Sequence, residues 1–274
     1  MNRVRIGRIW IDAVTFDEAL EGVAALVHMG NGGSVFTPNV DHVVNAETND
    51  ALSEAYCSAS FSFVDGQPLV WASRLLRPAL PAKISGSDLV PSLLERAARE
   101  SWRVYLLGGG VGVAATAADR IQRAPGVNVV GVDAPPIALQ TSNEERAVIE
   151  RIREAEPDLL LVGLGSPKQE VFIHRARARL PRTVAIGVGA TLDFLAGRVW
   201  RAPGWVSRVG LEWLFRLLQE PRRLTRRYLW NDPRFIAIFF RTLVAHRTSR
   251  LAGEATEALP LDLASKRAAG GERS

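Results

Sequence analysis

Short apolar runs alternate with helical periodicities along the first two thirds of this chain. Ser34–Phe36 reads as a strand and Val40–Ala59 as a helix, followed by a strand at Phe61–Val64 and a turn at Asp65-Gly66. Gly86-Ser87-Asp88 opens a helix that runs to about Glu100, Trp102–Leu107 is a strand, and Val113–Arg123 a helix. Strands at Val127–Val132, Asp158–Val162 and Thr183–Val188 enclose helices at Asn143–Glu154, with Ser142 as N-cap, and at Gln169–Arg179. Alternation at this spacing specifies βαβ units. The fold class is therefore α/β, a mostly parallel Rossmann-like sheet flanked by helices.

In open parallel sheets, ligands bind where the loops gather at the carboxyl ends of the strands. Five loops meet that condition: Thr37-Pro38-Asn39, Asp65-Gly66-Gln67, Gly108-Gly109-Gly110, Gly163 to Gln169, and Gly187 to Thr191. Asp65 follows a strand and precedes glycine. Position alone leaves it either a general base aimed into the crevice or a turn carboxylate capping the next helix. Thr37 and Asn39 suit sugar hydroxyls, or else turn and cap chemistry. His42 reads as a satisfied helix histidine. Gly108 to Gly112 lies between strand and helix, where backbone N–H groups can approach a phosphate. It departs from the dinucleotide fingerprint, because position 113 is valine. Gly163 to Glu170 is the densest cluster; its small residues open a loop, and Lys168 and Gln169 begin the next helix, which suits an anion beside a polar ring edge.

After residue 197 the pattern changes. From Arg198 to Arg250 there are twelve arginines, three acids and no lysine, a formal +9, while the whole chain is +5. Trp, Phe and Tyr interleave with those arginines. Val206, Val209, Leu211, Leu214, Leu217 and Leu218 approximate an apolar helical stripe, and Pro221 starts a second helix. Such a surface suits phosphates beside an apolar phase, and the stripe favours a membrane over nucleic acid. The expected organisation is an α/β catalytic core over 1–197, a basic amphipathic membrane-docking appendage over 198–250, and a disordered tail over 251–274.

One cysteine, Cys57, excludes an intrachain disulfide and reads as a helix packing residue in a reducing cytoplasm. No signal peptide is expected at the N-terminus, and the apolar run Phe235–Phe240 is far short of the ~20 residues that span a bilayer. No D-x-D triplet and no His/Cys cluster with metal spacing occurs, so no metal or cofactor is expected. A nucleotide-dependent oxidoreductase and a non-catalytic membrane- or nucleic-acid-binding module are the competing readings; the broken fingerprint counts against the first.

Taken together, the motifs resemble the WecG/TagA/CpsF family of bacterial glycosyltransferases. The resemblance rests on Thr37-Pro38-Asn39 with Asp41-His42, Val64-Asp65-Gly66, Ile84 to Leu89, Leu106 to Gly109, and Val162 to Glu170. It continues through Gly187 to Ala190, Asp193-Phe194, and Arg201-Ala202-Pro203 through Leu211-Glu212-Trp213 to Glu220 through Arg223. It covers roughly residues 5 to 240 and implies an inverting, metal-independent transfer from a UDP-sugar to a polyprenyl-diphosphate-linked saccharide. The sugar would be of the N-acetylmannosamine type, its uronic acid, or glucose, and the enzyme would sit peripherally on the cytoplasmic face of the inner membrane. The resemblance makes Asp65 the catalytic base. It puts Thr37, Asn39, Gly66, Lys83, Ser85, Asp88, Gly108, Gly109, Gly165, Lys168 and Gln169 at the substrates, and Arg216, Arg223 and Arg226 on the diphosphate. Lys83 departs from an arginine found in some members, keeping the charge but losing the bidentate fork.

Overall fold

The structure, a computed structural model, describes residues 2–76, 78–123, 126–135, 143–199, 215 and 232–257. Its centre is a six-stranded, wholly parallel sheet. The chain opens with an antiparallel hairpin, β1 (Arg3–Ile6) and β2 (Ile9–Asp12), then α1 (Phe16–Met29). The sheet strands are β3 (Gly33–Phe36), β4 (Phe61–Ser62), β5 (Arg103–Gly108), β6 (Asn128–Asp133), β7 (Leu159–Gly163) and β8 (Val184–Gly187). Their spatial order is β4-β3-β8-β7-β5-β6. The helices between them are α2 (Val40–Ala46), α3 (Asp50–Cys57), α4 (Gln67–Ser73), α5 (Gly86–Glu100), α6 (Val113–Ile121), α7 (Asn143–Glu154), α8 (Lys168–Ala176) and α9 (Thr191–Leu195). A last helix, α10, spans Asp232–Glu257.

The strand period of two builds two cores from one sequence. Along β7, Leu159 and Leu161 join the cluster on one face, with α1, α5, α6 and α9. Leu160 and Val162 join the other, with α2, α3, α4, α7, α8 and the hairpin. The sheet's β4 edge is covered: the backbone N–H of Ser62 donates to the buried Asp12 carboxylate of β2 (2.8 Å), which Arg3 also holds (2.6 Å). A covered edge cannot recruit another strand.

Several local readings needed revision. Val40–Ala59 is two helices, because the Asn49 side chain accepts from the Leu52 N–H and starts a new N-cap. The hairpin, α1 and α4 were not legible as separate elements. Cys57 is exposed, not packed: it ends α3 on the solvent side, while Tyr56 beside it points inward. Ser142, read as the N-cap of α7, lies outside the described residues.

In the basic C-terminal segment, α10 folds back onto the core. Ile238, Phe239 and Leu243 are buried in the same cluster as α2 and β1. The Thr242 hydroxyl accepts from the Gly7 N–H (3.0 Å), and Arg241 pairs with Glu47. Ile236, Phe240 and Val244, spaced by four, face outward. The helix continues to Glu257, past residue 251 where the hydrophobic period lapses. Among the described residues no helix is long and apolar enough to cross a membrane.

Candidate active site

The carboxyl ends of the strands open into a cleft of about 780 Å³. All five loops singled out by the parallel-sheet rule contribute to its wall. β3 and β4 supply one end. Their ladder continues past the regular strands, Phe63 N–H to the Phe36 carbonyl (2.8 Å) and Asp65 N–H to the Pro38 carbonyl (2.8 Å). This pairing brings Asp65 beside Thr37 and Asn39 at the cleft wall. The N-cap of α4 is Gly66, the residue after Asp65, and Pro68 stands in the helix's first turn. Asn39 does cap: its Oδ1 accepts from the N–H groups of Asp41 and His42 and starts α2. Its amide NH₂ group is not used by that cap.

β7 and β8 supply the middle. Gln169, almost fully buried at the start of α8, accepts from the Gly189 N–H through Oε1 (3.0 Å) and donates through Nε2 to Glu170 Oε1 (2.8 Å). One amide therefore joins two loops that are 20 residues apart in sequence. Lys168 and Gly165 also line the wall. β5 supplies the far end through Gly109 and Gly110. Gly108 holds this end in place. Its φ is +105°, and a Cβ there would lie 2.6 Å from the Gly163 carbonyl oxygen, while the Gly109 N–H donates to that same oxygen (2.8 Å). Only glycine lets the two loops approach this closely.

Not every residue named from sequence reaches the cleft wall. Gly66 and Gly108 do not line it. Ser85, Asp88 and Lys83 form a knot at the start of α5. The Ser85 hydroxyl donates to Asp88 Oδ2 (2.6 Å) and accepts from the Asp88 N–H, and Lys83 Nζ lies 3.2 Å from the same carboxylate. The knot turns Gly86 and Ser87 to the cleft in their place. Arg216, Arg223 and Arg226 lie outside the described residues. The wall also includes Asp41, His42, Pro135 and Asp193, which sequence reasoning did not place there. Pro135 could have been found as the residue just past the end of β6, since the strand-end rule applies equally to edge strands. That edge is set by Tyr105, whose hydroxyl donates to Asp133 (2.5 Å), and by Arg151, whose guanidinium grips both oxygens of the same carboxylate. Burial raises the Asp133 pKa, but the bonds from Arg151 and Tyr105 outweigh it and hold the group below its usual value.

Behind the Asp65 end lies a buried polar set. His42 Nδ1 is 2.7 Å from the Tyr56 hydroxyl and 4.0 Å from Glu170 Oε1. Tyr56 is held well above the ordinary tyrosine pKa, by burial first and then by the charges of Glu170, Asp65 and Asp41. It is protonated at neutral pH.

A parallel α/β sheet with a polar cleft over its strand ends, one carboxylate at a strand terminus and glycine loops opposite, defines a protein that binds and reacts small polar substrates. Residues 4–249 match the glycosyl transferase WecG/TagA/CpsF family. The chain is also 35% identical, over 206 residues, to an N-acetylglucosaminyldiphosphoundecaprenol N-acetyl-beta-D-mannosaminyltransferase of Bacillus spizizenii (strain ATCC 23059 / NRRL B-14472 / W23). That alignment covers 75% of this chain and 77% of the relative. The protein belongs to the WecG/TagA/CpsF glycosyl transferase family.

Proposed function

We propose that the protein transfers a sugar of the N-acetylmannosamine type from its UDP derivative to a polyprenyl-diphosphate-linked saccharide, with inversion at the anomeric carbon. The observation that carries the reading is Asp65: a carboxylate on the cleft wall, at the end of the β4 pairing and beside the hydrogen-bonding side chains of Thr37 and Asn39. The acceptor hydroxyl oxygen attacks the anomeric carbon while the bond from that carbon to the UDP oxygen breaks. Asp65 takes the hydroxyl proton, and UDP leaves with the bonding pair. Lys168 at the cleft wall, with Arg216, Arg223 and Arg226 of the basic segment, offsets charge on the departing or lipid-borne diphosphate. With those cations in that role the reaction needs no metal. The acceptor in the relative's name, N-acetylglucosaminyldiphosphoundecaprenol, supports the choice of a lipid-linked acceptor.

The test is UDP release from a panel of UDP-N-acetylmannosamine, its uronic acid and UDP-glucose. The mix contains a short-chain polyprenyl-diphosphate N-acetylglucosamine or glucose acceptor, with EDTA present. Release that needs the acceptor and survives EDTA is expected; absence of release from every pair refutes the reading.

A lipid-linked acceptor places the enzyme at the membrane surface, on the cytoplasmic side where nucleotide sugars are made. The outward stripe Ile236, Phe240 and Val244 of α10, beside exposed Arg234 and Arg247, supports peripheral docking. Each basic residue near an anionic leaflet adds about 1 kcal/mol of attraction. Replacing the three apolar residues with serine leaves the inward face of α10 intact. It is expected to weaken binding to phosphatidylglycerol vesicles severalfold with unchanged thermal stability. Equal flotation of variant and wild type would remove α10 from the docking surface.

A further inference from the structure

One polar side chain on the cleft wall, Gln169, rests on a carboxylate that does not line it. Glu170 is completely buried, and its Oε1 accepts from Gln169. Gln169 spends its Oε1 on the Gly189 N–H, and the missing side chain at Gly187 makes room for its amide, since a Cβ there would lie 3.0 Å from Nε2. Glu170 and Gln169 therefore act as a brace between loops.

His42 stands beside this brace, its Nδ1 4.0 Å from Glu170 Oε1 and 2.7 Å from the Tyr56 hydroxyl. Tyr56 is 1% exposed, and among the described residues its hydroxyl is hydrogen-bonded to His42 Nδ1 alone. A buried O–H left without an acceptor costs roughly 1–3 kcal/mol. The phenol proton therefore points at Nδ1, and a proton on Nδ1 would displace it from that acceptor. A neutral imidazole carries a single N–H. With Nδ1 accepting, that N–H is on Nε2, the ring's other polar atom, and His42 lines the cleft on the same wall as Thr37, Asn39 and Asp65.

We infer that His42 is a hydrogen-bond donor to the substrate, presenting Nε2–H to an oxygen of the donor's sugar or diphosphate, with Tyr56 fixing the tautomer. The inference rests on the cleft being the site of sugar transfer. His42 contacts substrate; Tyr56 is a positioning residue that acts through it. The assignment excludes His42 as a general base, since its one lone pair is already engaged, and leaves that role to Asp65.

The experiment combines histidine ¹⁵N spectra with kinetics on the full chain at pH 8. His42→Phe identifies the His42 signals among those of the four histidines. The wild type should show the Nε2–H tautomer, and Tyr56→Phe a mixture of both. UDP and UDP-N-acetylmannosamine are added separately. A His42 shift with UDP alone marks a phosphate oxygen, and one that needs the sugar marks a sugar oxygen. His42→Phe should lower kcat/KM about tenfold, the worth of one hydrogen bond. His42→Gln, whose amide N–H can reach the same place, should recover most of it. A wild-type Nδ1–H tautomer, signals unmoved by both ligands, or full activity in His42→Phe would each overturn the inference. A wild type that binds these ligands at His42 but transfers no sugar would sink the reaction reading alone. The wild-type tautomer and ligand shifts are read on the native protein, and thermal melts of His42→Phe and Tyr56→Phe confirm that the variants used for assignment and comparison are folded.

Discussion

Asp65→Asn protein should fold, bind UDP-sugar, and transfer sugar about 10²–10⁴ times more slowly than the wild type, the usual worth of general-base assistance. Asparagine keeps the size and the backbone bond from residue 65 to the Pro38 carbonyl, so the loop pairing that shapes this end of the cleft survives. What is lost is the one function an amide cannot perform, which is to accept the proton of the attacking hydroxyl. The loss should therefore appear in kcat, while the dissociation constant for the UDP-sugar changes by no more than a fewfold. Single-turnover rates with a saturating donor, alongside calorimetric titration of UDP, separate the two. A variant with near-normal turnover would show that Asp65 serves only to shape the turn before α4.

The second large effect is on stability. Glu145 of α7 is buried, with a side chain 1% exposed, and Arg175 of α8 reaches it with a two-pronged grip, Nε to Oε1 at 2.9 Å and Nη2 to Oε2 at 2.5 Å. Removing the guanidinium alone takes both of these charged bonds from a buried carboxylate. Arg175→Ala is therefore expected to cost about 3–5 kcal/mol. At roughly 2–4 °C per kcal/mol for a chain of this size, the melting temperature should fall by about 10 °C. Replacing both partners by apolar residues of similar volume, Glu145→Leu with Arg175→Met, should restore most of the loss, since no buried charge then remains. Differential scanning calorimetry of the single and double variants decides. A single variant within 1 kcal/mol of wild type would mean that water reaches Glu145 as soon as the arginine is gone.

Legibility in the sequence differed by kind of feature. The sheet strands could be read because each is a short apolar run between turn signals. β7 is the clearest case, with every side chain from Leu159 to Val162 buried on one face or the other. Asp65 and the glycine loops were legible as strand-end features, because a parallel sheet puts ligands there whatever the strand order. Ser85 and Asp88 were legible as conspicuous residues but not by position. Their oxygens turn to each other and to Lys83, and the residues left facing the cleft, Gly86 and Ser87, carry little chemical signal of their own. The apolar run in the last helix was legible only as apolar. One sequence pattern serves both a buried face, Ile238, Phe239 and Leu243, and an exposed one, Ile236, Phe240 and Val244.

The sequence by itself determined the layered α/β class, the positions where the backbone must turn through glycine, and the residue types available at each strand end. These are set by interactions within a few residues: side-chain period, steric limits on φ, and caps. Tertiary structure alone decided that β8, the last strand among the described residues, lies between β3 and β7, and that α10 returns to pack against α2 and β1. Those choices depend on pairing and burial between segments more than a hundred residues apart, which no local pattern encodes. The cleft follows from them, because Thr37, Asp65, Gln169 and Gly189 share a wall only once β8 has entered the centre of the sheet.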